Sequence, residues 1–382
     1  MIMSAPGLVP LRELLVEKSD PHVVDPETQY PIAGVYGFGR GMIQRTAVSG
    51  QEIAATNLFR IKKDQFIYSR LKSFEGAFAL VTSEVDGYYV SNEFPTFDVD
   101  RTRLEPAFLG WYFRQPKVWR QLATGGKGIG ARRERLPSRR LLDHLVSLPA
   151  LSEQQRTIVQ LDATSVRLAA SRQFAQATRT NLMAMLTSAY SKITAGAPRR
   201  RMDEAAPLVR RPILVEPDGV YSELGIRSFG KGTFHKPALQ GVEVGNKRLF
   251  EVHRDDLIFN IVFAWEGAVA VATSNDHGRV GSHRFLTCVP DPELTSSDFL
   301  QFHFMTAEGL HQLGAASPGG AGRNRTLGLK ALEKILVPLP SLDAQAWFAS
   351  LHRKNVEIER RQKEVGSELD RLLPAMLHAA FG

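Results

Sequence analysis

The feature that most constrains this chain is an internal duplication. Sliding the 382-residue sequence over itself by 191 positions, half its length, aligns the two halves without a gap. Val24, Pro26 and Tyr30 fall on Val215, Pro217 and Tyr221, and Phe38-Gly39-x-Gly41 falls on Phe229-Gly230-x-Gly232. Glu75-Gly76-Ala77 meets Glu266-Gly267-Ala268, and Leu148-Pro149-x-Leu151 meets Leu339-Pro340-x-Leu342. In all, 48 of 191 pairs are identical, where unrelated sequences of ordinary composition share roughly one in sixteen. The period far exceeds the ~20 to 50 residues of solenoid repeats, so each copy is a domain-sized unit.

Each copy has two parts. The first ~150 residues carry short runs rich in Val, Ile, Phe and Tyr between Gly, Pro and Asp breakers, a strand signature. Gln65 to Ser69, Ala77 to Val81 and Asp256 to Asn260 are such runs, while Phe108 to Arg120 and Phe299 to Leu313 read as short helices. The mixture predicts an α+β globule. After Leu148-Pro149-Ala150-Leu151 the chain has no Pro or Gly until Gly196, and Ser152 with Gln155 has the spacing of a capping box, which predicts a helix start there. Ile158, Leu161, Leu168, Ala175, Leu182, Leu186, Ala189 and Ile193 form one apolar seam, broken at Ser165, Arg172 and Arg179. The second copy repeats the helix from Asp343, with Phe348, Leu351, Ile358, Val365, Leu369, Leu372 and Met376 on its stripe, and Pro374 is expected to kink or fray the last turns. Arg199-Arg200-Arg201 and Arg210-Arg211, near Pro198, Pro207 and Pro212, read as a linker into the second globule.

This order predicts globules at 1–149 and 196–340, and long helices at 150–195 and 341–382. Should the seams pack together, the helices run antiparallel with a globule at each end, an arrangement with an approximate internal two-fold axis.

Composition narrows the function classes. With 43% hydrophobic and 23% charged residues the chain is of the globular type rather than the disordered one. Its one cysteine, Cys288, forms no intrachain disulfide or zinc cage, which favours the cytoplasm. No signal peptide is read at Met1 to Leu15, and the most apolar stretch, Leu257 to Ala272, is broken by Asn260 and Glu266, so no membrane span is expected. The net charge of +8 suits a nucleic-acid partner but also an ordinary enzyme.

Gly125 to Gly130 lacks the Gly-Lys-Ser/Thr ending of a nucleotide-binding loop, and Gly37 to Gly41 precedes no dinucleotide helix. The first of these loops leads into a basic run, Lys127, Arg132, Arg133, Arg135, Arg139 and Arg140, and its copy keeps glycines with Arg323 and Arg325. Two readings stand: contact with DNA through amides and guanidinium groups, and a solvated basic loop. Arg40 and Arg45, matched by Lys231, His235 and Lys236, form a second basic loop, and Arg70 with Lys72 follows a predicted strand. Turn chemistry and an ordinary strand end are the competing explanations. The ten histidines show no His-Glu-x-x-His spacing, and no metal site is expected. There is no Asn/Asp-Pro-Pro-Phe/Tyr segment of an amino-methyltransferase and no Gly-x-Ser-x-Gly elbow. Pro217-Asp218 with Glu223 lacks the lysine a nuclease motif requires. Catalysis is not expected.

Together these features resemble the specificity (S) subunits of type I restriction-modification systems, over essentially the whole chain. The residues that carry the resemblance are Leu148-Pro-Ala-Leu-Ser-Glu-Gln-Gln155 and its copy Leu339-Pro-Ser-Leu-Asp-Ala-Gln345, each following a basic glycine loop. The resemblance implies two target recognition domains, held apart by two antiparallel helices, each reading half of a split site in double-stranded DNA. It implies helices that dock methyltransferase (M) subunits, where S-adenosylmethionine would bind, and a restriction (R) subunit. Glu153, Gln154 and Gln345 at the junctions, with Leu182, Leu186, Leu369 and Leu372 along the helices, become candidate partner contacts. Ala344 stands where the first copy has Glu153, so the two helices need not meet a partner alike. A stand-alone DNA-modifying enzyme and a protein-only helical adaptor are the alternatives.

Overall fold

The computed structural model describes residues 7–123, 135–319 and 325–382. The chain divides into two units, one of residues up to Phe174 with Lys363–Gly382, the other Ala175–Gln362, so each contains a piece of both long helices. Those helices span Leu151–Thr194 and Leu342–Phe381.

In the first unit a four-stranded antiparallel sheet runs in the order Phe78–Leu80, Phe66–Tyr68, Thr96–Val99, Leu15–Glu17. Period-two alternation gives each central strand two buried faces. Phe66, Tyr68 and Phe78 join one core with Phe97 and Phe113, and Ile67, Ala77 and Ala79 join another beneath the hairpin Ala33–Val35/Met42–Gln44. Helices Pro106–Tyr112 and Pro116–Ala123 cover the aromatic face, with the Phe113 ring 4.6 Å from Phe78 and 4.8 Å from Phe66. The second unit repeats the plan. Leu257 and Phe259 face one core, Ile258 the other, and helices Ser297–Met305 and Ala307–Ala315 cover the sheet. The predicted α+β class and its strands are observed.

Three local expectations are corrected. Arg199–Arg201 is not linker but a strand paired with Leu336–Pro338, as Leu8–Pro10 pairs with Leu145–Ser147 in the first unit. Its outward arginines are neutralised by Glu308, Glu204 and Asp203, charged groups suited to an edge strand. The first long helix begins at Leu151, and Gln155 bonds the Glu105 carboxylate instead of closing a capping box on Ser152. The second continues through Pro374 to Phe381, because Leu373, Met376, Leu377 and Phe381 pack on Trp111 and Leu161 while the Lys117 ammonium donates to the Phe381 carbonyl.

Within each unit the helix pieces run antiparallel. In the first, Leu161 meets Leu377 and Arg172 pairs with Asp370; in the second, Arg179 pairs with Glu359 and Tyr190 packs on Phe348. The seam expected on the first helix is observed, with Leu161, Leu168 and Leu186 buried. That expected on the second holds in part: Phe348, Leu351, Leu369 and Met376 lie inward as expected, while Ile358, Val365 and Leu372 are exposed and Asn355, Leu373 and Leu377 take the inward places. Asn355 sits in this seam with its side-chain oxygen unpaired, a position where one polar residue can specify register.

A chain of hydrogen bonds, buried at its Tyr190–His303 end, ties the first long helix to the second unit's core. Tyr190 donates to His303 Nδ1 (2.7 Å), His303 Nε2 donates to Gln312 Oε1 (2.8 Å), and the Gln312 amide donates to the Leu336 carbonyl (3.0 Å). In this network the imidazole is neutral. Burial lowers the pKa of His303, and likewise of His144 and His352. Since the folded values lie below the unfolded value of about 6.5, stability is full above that pH and falls as acid protonates the unfolded state first. Urea midpoints of the full chain should be level between pH 8 and 7 and drop steadily from pH 6.5 to 5, above the carboxylate range. A flat profile over that window would contradict the neutral network.

Candidate nucleic-acid interface

Three segments distant in sequence converge on one turn in each unit. In the first unit the strand Phe66–Tyr68 runs into residues 69–76, closed by Gly76 in the left-handed region at φ +76°. The hairpin tip rests on it: Phe38 N–H donates to the Glu75 carbonyl (2.6 Å) and Gly39 N–H to the Gly76 carbonyl (3.0 Å). Segment 91–94 joins through Arg70 N–H to the Glu93 carbonyl (2.9 Å), and Leu136 N–H donates to the Arg70 carbonyl (3.0 Å). Tyr68, whose phenol burial pushes up and keeps as a donor, bonds the Leu136 carbonyl (2.8 Å).

The second unit repeats four of these bonds at shifted positions. Phe229 N–H meets the Glu266 carbonyl (2.8 Å), Gly230 that of Gly267 (2.9 Å), Ile261 that of Arg284 (2.9 Å), and Leu327 that of Ile261 (2.8 Å). The backbone frame is held constant while the side chains on it change. Arg70, Lys72 and Glu93 of the first unit are replaced by Ile261, Phe263 and Arg284, so one shelf is built of charged side chains and the other carries more apolar surface.

The predicted basic residues separate on this frame. Arg40 lies at the first tip, its guanidinium 4.8 Å from the Tyr36 ring centre and bonded to the Gly37 carbonyl, and Lys231 lies at the second, 5.6 Å from the Phe229 ring. Arg70 bonds the Asn92 carbonyl and pairs with Glu17, Lys72 is exposed beside it, and Arg135 pairs with Glu93 (2.7 Å). Arg325 stacks 5.3 Å from Trp265. Arg45, His235 and Lys236 lie instead at the hairpin bases. There Arg45 N–H bonds the Ile32 carbonyl, His235 pairs with the buried Asp276, and Lys236 pairs with Glu223. Lys127, Arg132, Arg133 and Arg323 lie outside the described residues.

Sequence reasoning missed the ring systems. Phe38 and Phe229 are 64% and 71% exposed at the two tips, and their signal was the Phe-Gly-x-Gly identity between copies. Trp265 had no counterpart signal, since Phe74 occupies its place in the first copy.

The candidate partner contacts also divide. Gln154 and Gln345 are buried, which corrects their assignment to a docking surface: a side chain with no exposed surface meets no partner. Gln154 accepts from Glu105 N–H and donates to the Arg103 and Pro149 carbonyls, and Gln345 accepts from the Thr295 hydroxyl and donates to those of Leu294 and Pro340. Leu186 is likewise interior, against Tyr190, Phe299 and Phe348. Leu182, Leu369 and Glu153 are half-buried, the last beside Arg156, and Leu372 is exposed.

Among the described residues no group of three or more His, Cys, Asp or Glu side chains is placed to hold a metal ion, and no helix is long and apolar enough to cross a membrane.

No protein-family model matches the chain, and no curated protein matches it by sequence. Solved structures do. The HsdS subunit from Thermoanaerobacter tengcongensis superposes with a TM-score of 0.60 at 18% identity, over 98% of this chain and 96% of that one. A chain from a type I restriction-modification system, solved to explain complex assembly and conformational transition, gives 0.69 at 18% identity over 100% and 99%. The S subunit of the type I system of M. genitalium gives 0.51 at 14% identity over 100% and 96%. From end to end the fold is that of type I restriction-modification S subunits.

Proposed function

We propose that this chain, folded like the S subunits of type I restriction-modification systems, is a non-catalytic DNA-reading subunit of such a system. The observation that carries the reading is the frame built twice: the same four backbone hydrogen bonds hold up two shelves with different side chains. A constant scaffold with variable side chains suits two half-sites of different sequence, read by base contacts while phosphate contacts set position. Recognition domains at 1–149 and 196–340 would each take one half-site of a bipartite duplex target, joined by the helices at 150–195 and 341–382. The exposed apolar residues of those helices, Val159, Val166 and Phe174 on the first and Trp347, Ile358, Val365 and Leu372 on the second, are the surface we assign to methyltransferase and restriction subunits. The methyltransferase subunits would hold S-adenosylmethionine. A duplex DNA ligand and a lone buried cysteine accord with a cytoplasmic location.

The test is twofold. Assembled with its methyltransferase partner, the chain should direct methylation to one split site whose two halves differ, while the chain alone with S-adenosylmethionine and Mg²⁺ should neither methylate nor cleave. Activity of the isolated chain would refute the reading.

Lys72 supplies a sharper check, since it is exposed at the first shelf. Lys72→Ala should leave folding intact and reduce the slope of log affinity against log salt by about 0.9, the value for one phosphate contact. A slope identical to that of the parent would remove Lys72 from the interface.

A further inference from the structure

Four non-glycine residues take positive φ among those described: Asp64 and Asp255 at +68° and +66°, and Phe38 and Phe229, both at +62°. They form two pairs related by the duplication. Aspartate tolerates the left-handed region, because its short polar side chain bonds locally. Phenylalanine has no such compensation, and the left-handed region crowds its Cβ against the following carbonyl oxygen. Burial in the unit's own core offsets little of this, since the rings are 64% and 71% exposed. The only ring beside Phe38 among its described aromatic contacts is Trp119, met edge-on at 6.4 Å. Each unit therefore holds a strained, solvent-facing aromatic ring, and strain of this kind concentrates where a ligand binds.

The tip that carries each ring is held from behind. Besides the two backbone bonds to the turn beneath, Gly39 lies so close to Arg114 that a Cβ would stand 3.0 Å from its Cα, and Gly230 approaches the Met305 sulfur at 2.7 Å by the same measure. A cation stands over each ring, Arg40 at 5.9 Å from Phe38 and Lys231 at 5.6 Å from Phe229. A rigidly backed, planar apolar ring with a cation above one face is complementary to a nucleic-acid base step and its flanking phosphate.

We propose that Phe38 and Phe229 are aromatic wedges, each stacking into a base-pair step of one half-site in duplex DNA while Arg40 or Lys231 meets the adjacent phosphate. This rests on the DNA-reading function above and adds to it a residue that unstacks the duplex without reading base edges.

The experiment uses the full chain assembled with its methyltransferase partner. The probe is a duplex carrying the methylation-mapped site, with 2-aminopurine placed at one adenine or base position at a time. Phe38→Ala and Phe38→Gly are compared with the parent, the glycine variant because it removes the ring while relieving the backbone. Both should fold, with the urea midpoint of Phe38→Gly equal to or above the parent's. Affinity should fall roughly 5- to 150-fold, the range for loss of one stacked base. The salt slope should not change, because phenylalanine neutralises no phosphate. In the parent, 2-aminopurine fluorescence should rise at one step in each half-site. Phe38→Ala should abolish only the first rise and Phe229→Ala only the second, and Phe38→Tyr should restore it.

Affinity within twofold of the parent, a loss accompanied by a shallower salt slope, or the absence of any responsive step overturns the wedge while leaving the DNA-reading function standing. Absence of salt-dependent duplex binding by the parent complex overturns both.

Discussion

Replacing Gln154 by alanine is expected to destabilise the first unit by about 3 kcal/mol or more, taking roughly 1 kcal/mol for each of three bonds and more for any partner left unpaired and dry. Its fully buried amide holds the Glu105 N–H and the carbonyls of Arg103 and Pro149, joining the approach to helix Pro106–Tyr112 to the entry of the long helix. Gln154→Glu should be nearly as damaging, since a carboxylate cannot donate to the two carbonyls. Gln345→Ala should cost somewhat less, about 2 kcal/mol, because one of its three partners is the Thr295 hydroxyl, which can turn elsewhere. The readout is urea unfolding of the full chain by tryptophan fluorescence, with Trp111 and Trp119 reporting the first unit and Trp265 and Trp347 the second. Lowered affinity for a methyltransferase subunit at unchanged stability would restore Gln154 to a docking surface.

Gly76→Ala and Gly267→Ala occupy equivalent positions at φ +76° and +75°, yet their expected costs differ. Both add a methyl group to a left-handed residue, about 1 to 2 kcal/mol. At Gly76 the new Cβ would also overlap the Trp119 ring, which is buried and bonded through its indole N–H to the Phe113 carbonyl (2.6 Å). Displacing that ring adds the roughly 1 to 3 kcal/mol typical of overpacking, about 2 to 5 in total. At Gly267 the nearest atoms are the ends of Met305 and Leu310, at 3.1 and 3.3 Å, which can move aside, so the backbone cost stands nearly alone. Unfolding of both variants under the same conditions checks the contrast. Since the Gly76 carbonyl receives the first hairpin tip, Gly76→Ala should also weaken binding at the first half-site. Equal costs at the two glycines would mean that Trp119 yields as readily as Met305.

The second long helix shows where sequence periodicity ceases to decide. It carries two overlapping apolar stripes, one through Ile358, Val365 and Leu372 and one through Leu369, Leu373, Met376 and Leu377, with a polar Asn355 nearer the second. Either satisfies a heptad pattern. Which one turns inward depends on the partners at its ends, Tyr190 with Phe299 and Trp111 with Leu161, and those partners are distant in sequence. The same holds for Arg199–Arg201, whose composition reads as linker until Leu336–Pro338 supplies a strand to pair with.

By itself the sequence determined the duplication, the α+β class, the two long helices and the order of elements. These follow from identities at constant offset and from local periods of two and 3.6, which neighbouring residues encode. Tertiary structure alone decided which helix face is interior, that Gln154 and Gln345 are internal staples, and that the turn at 69–76 gathers the tip at 38–39, Glu93 and Leu136. Those outcomes depend on pairings between segments tens of residues apart, where the free energy resides in burial and in hydrogen bonds that no local pattern records.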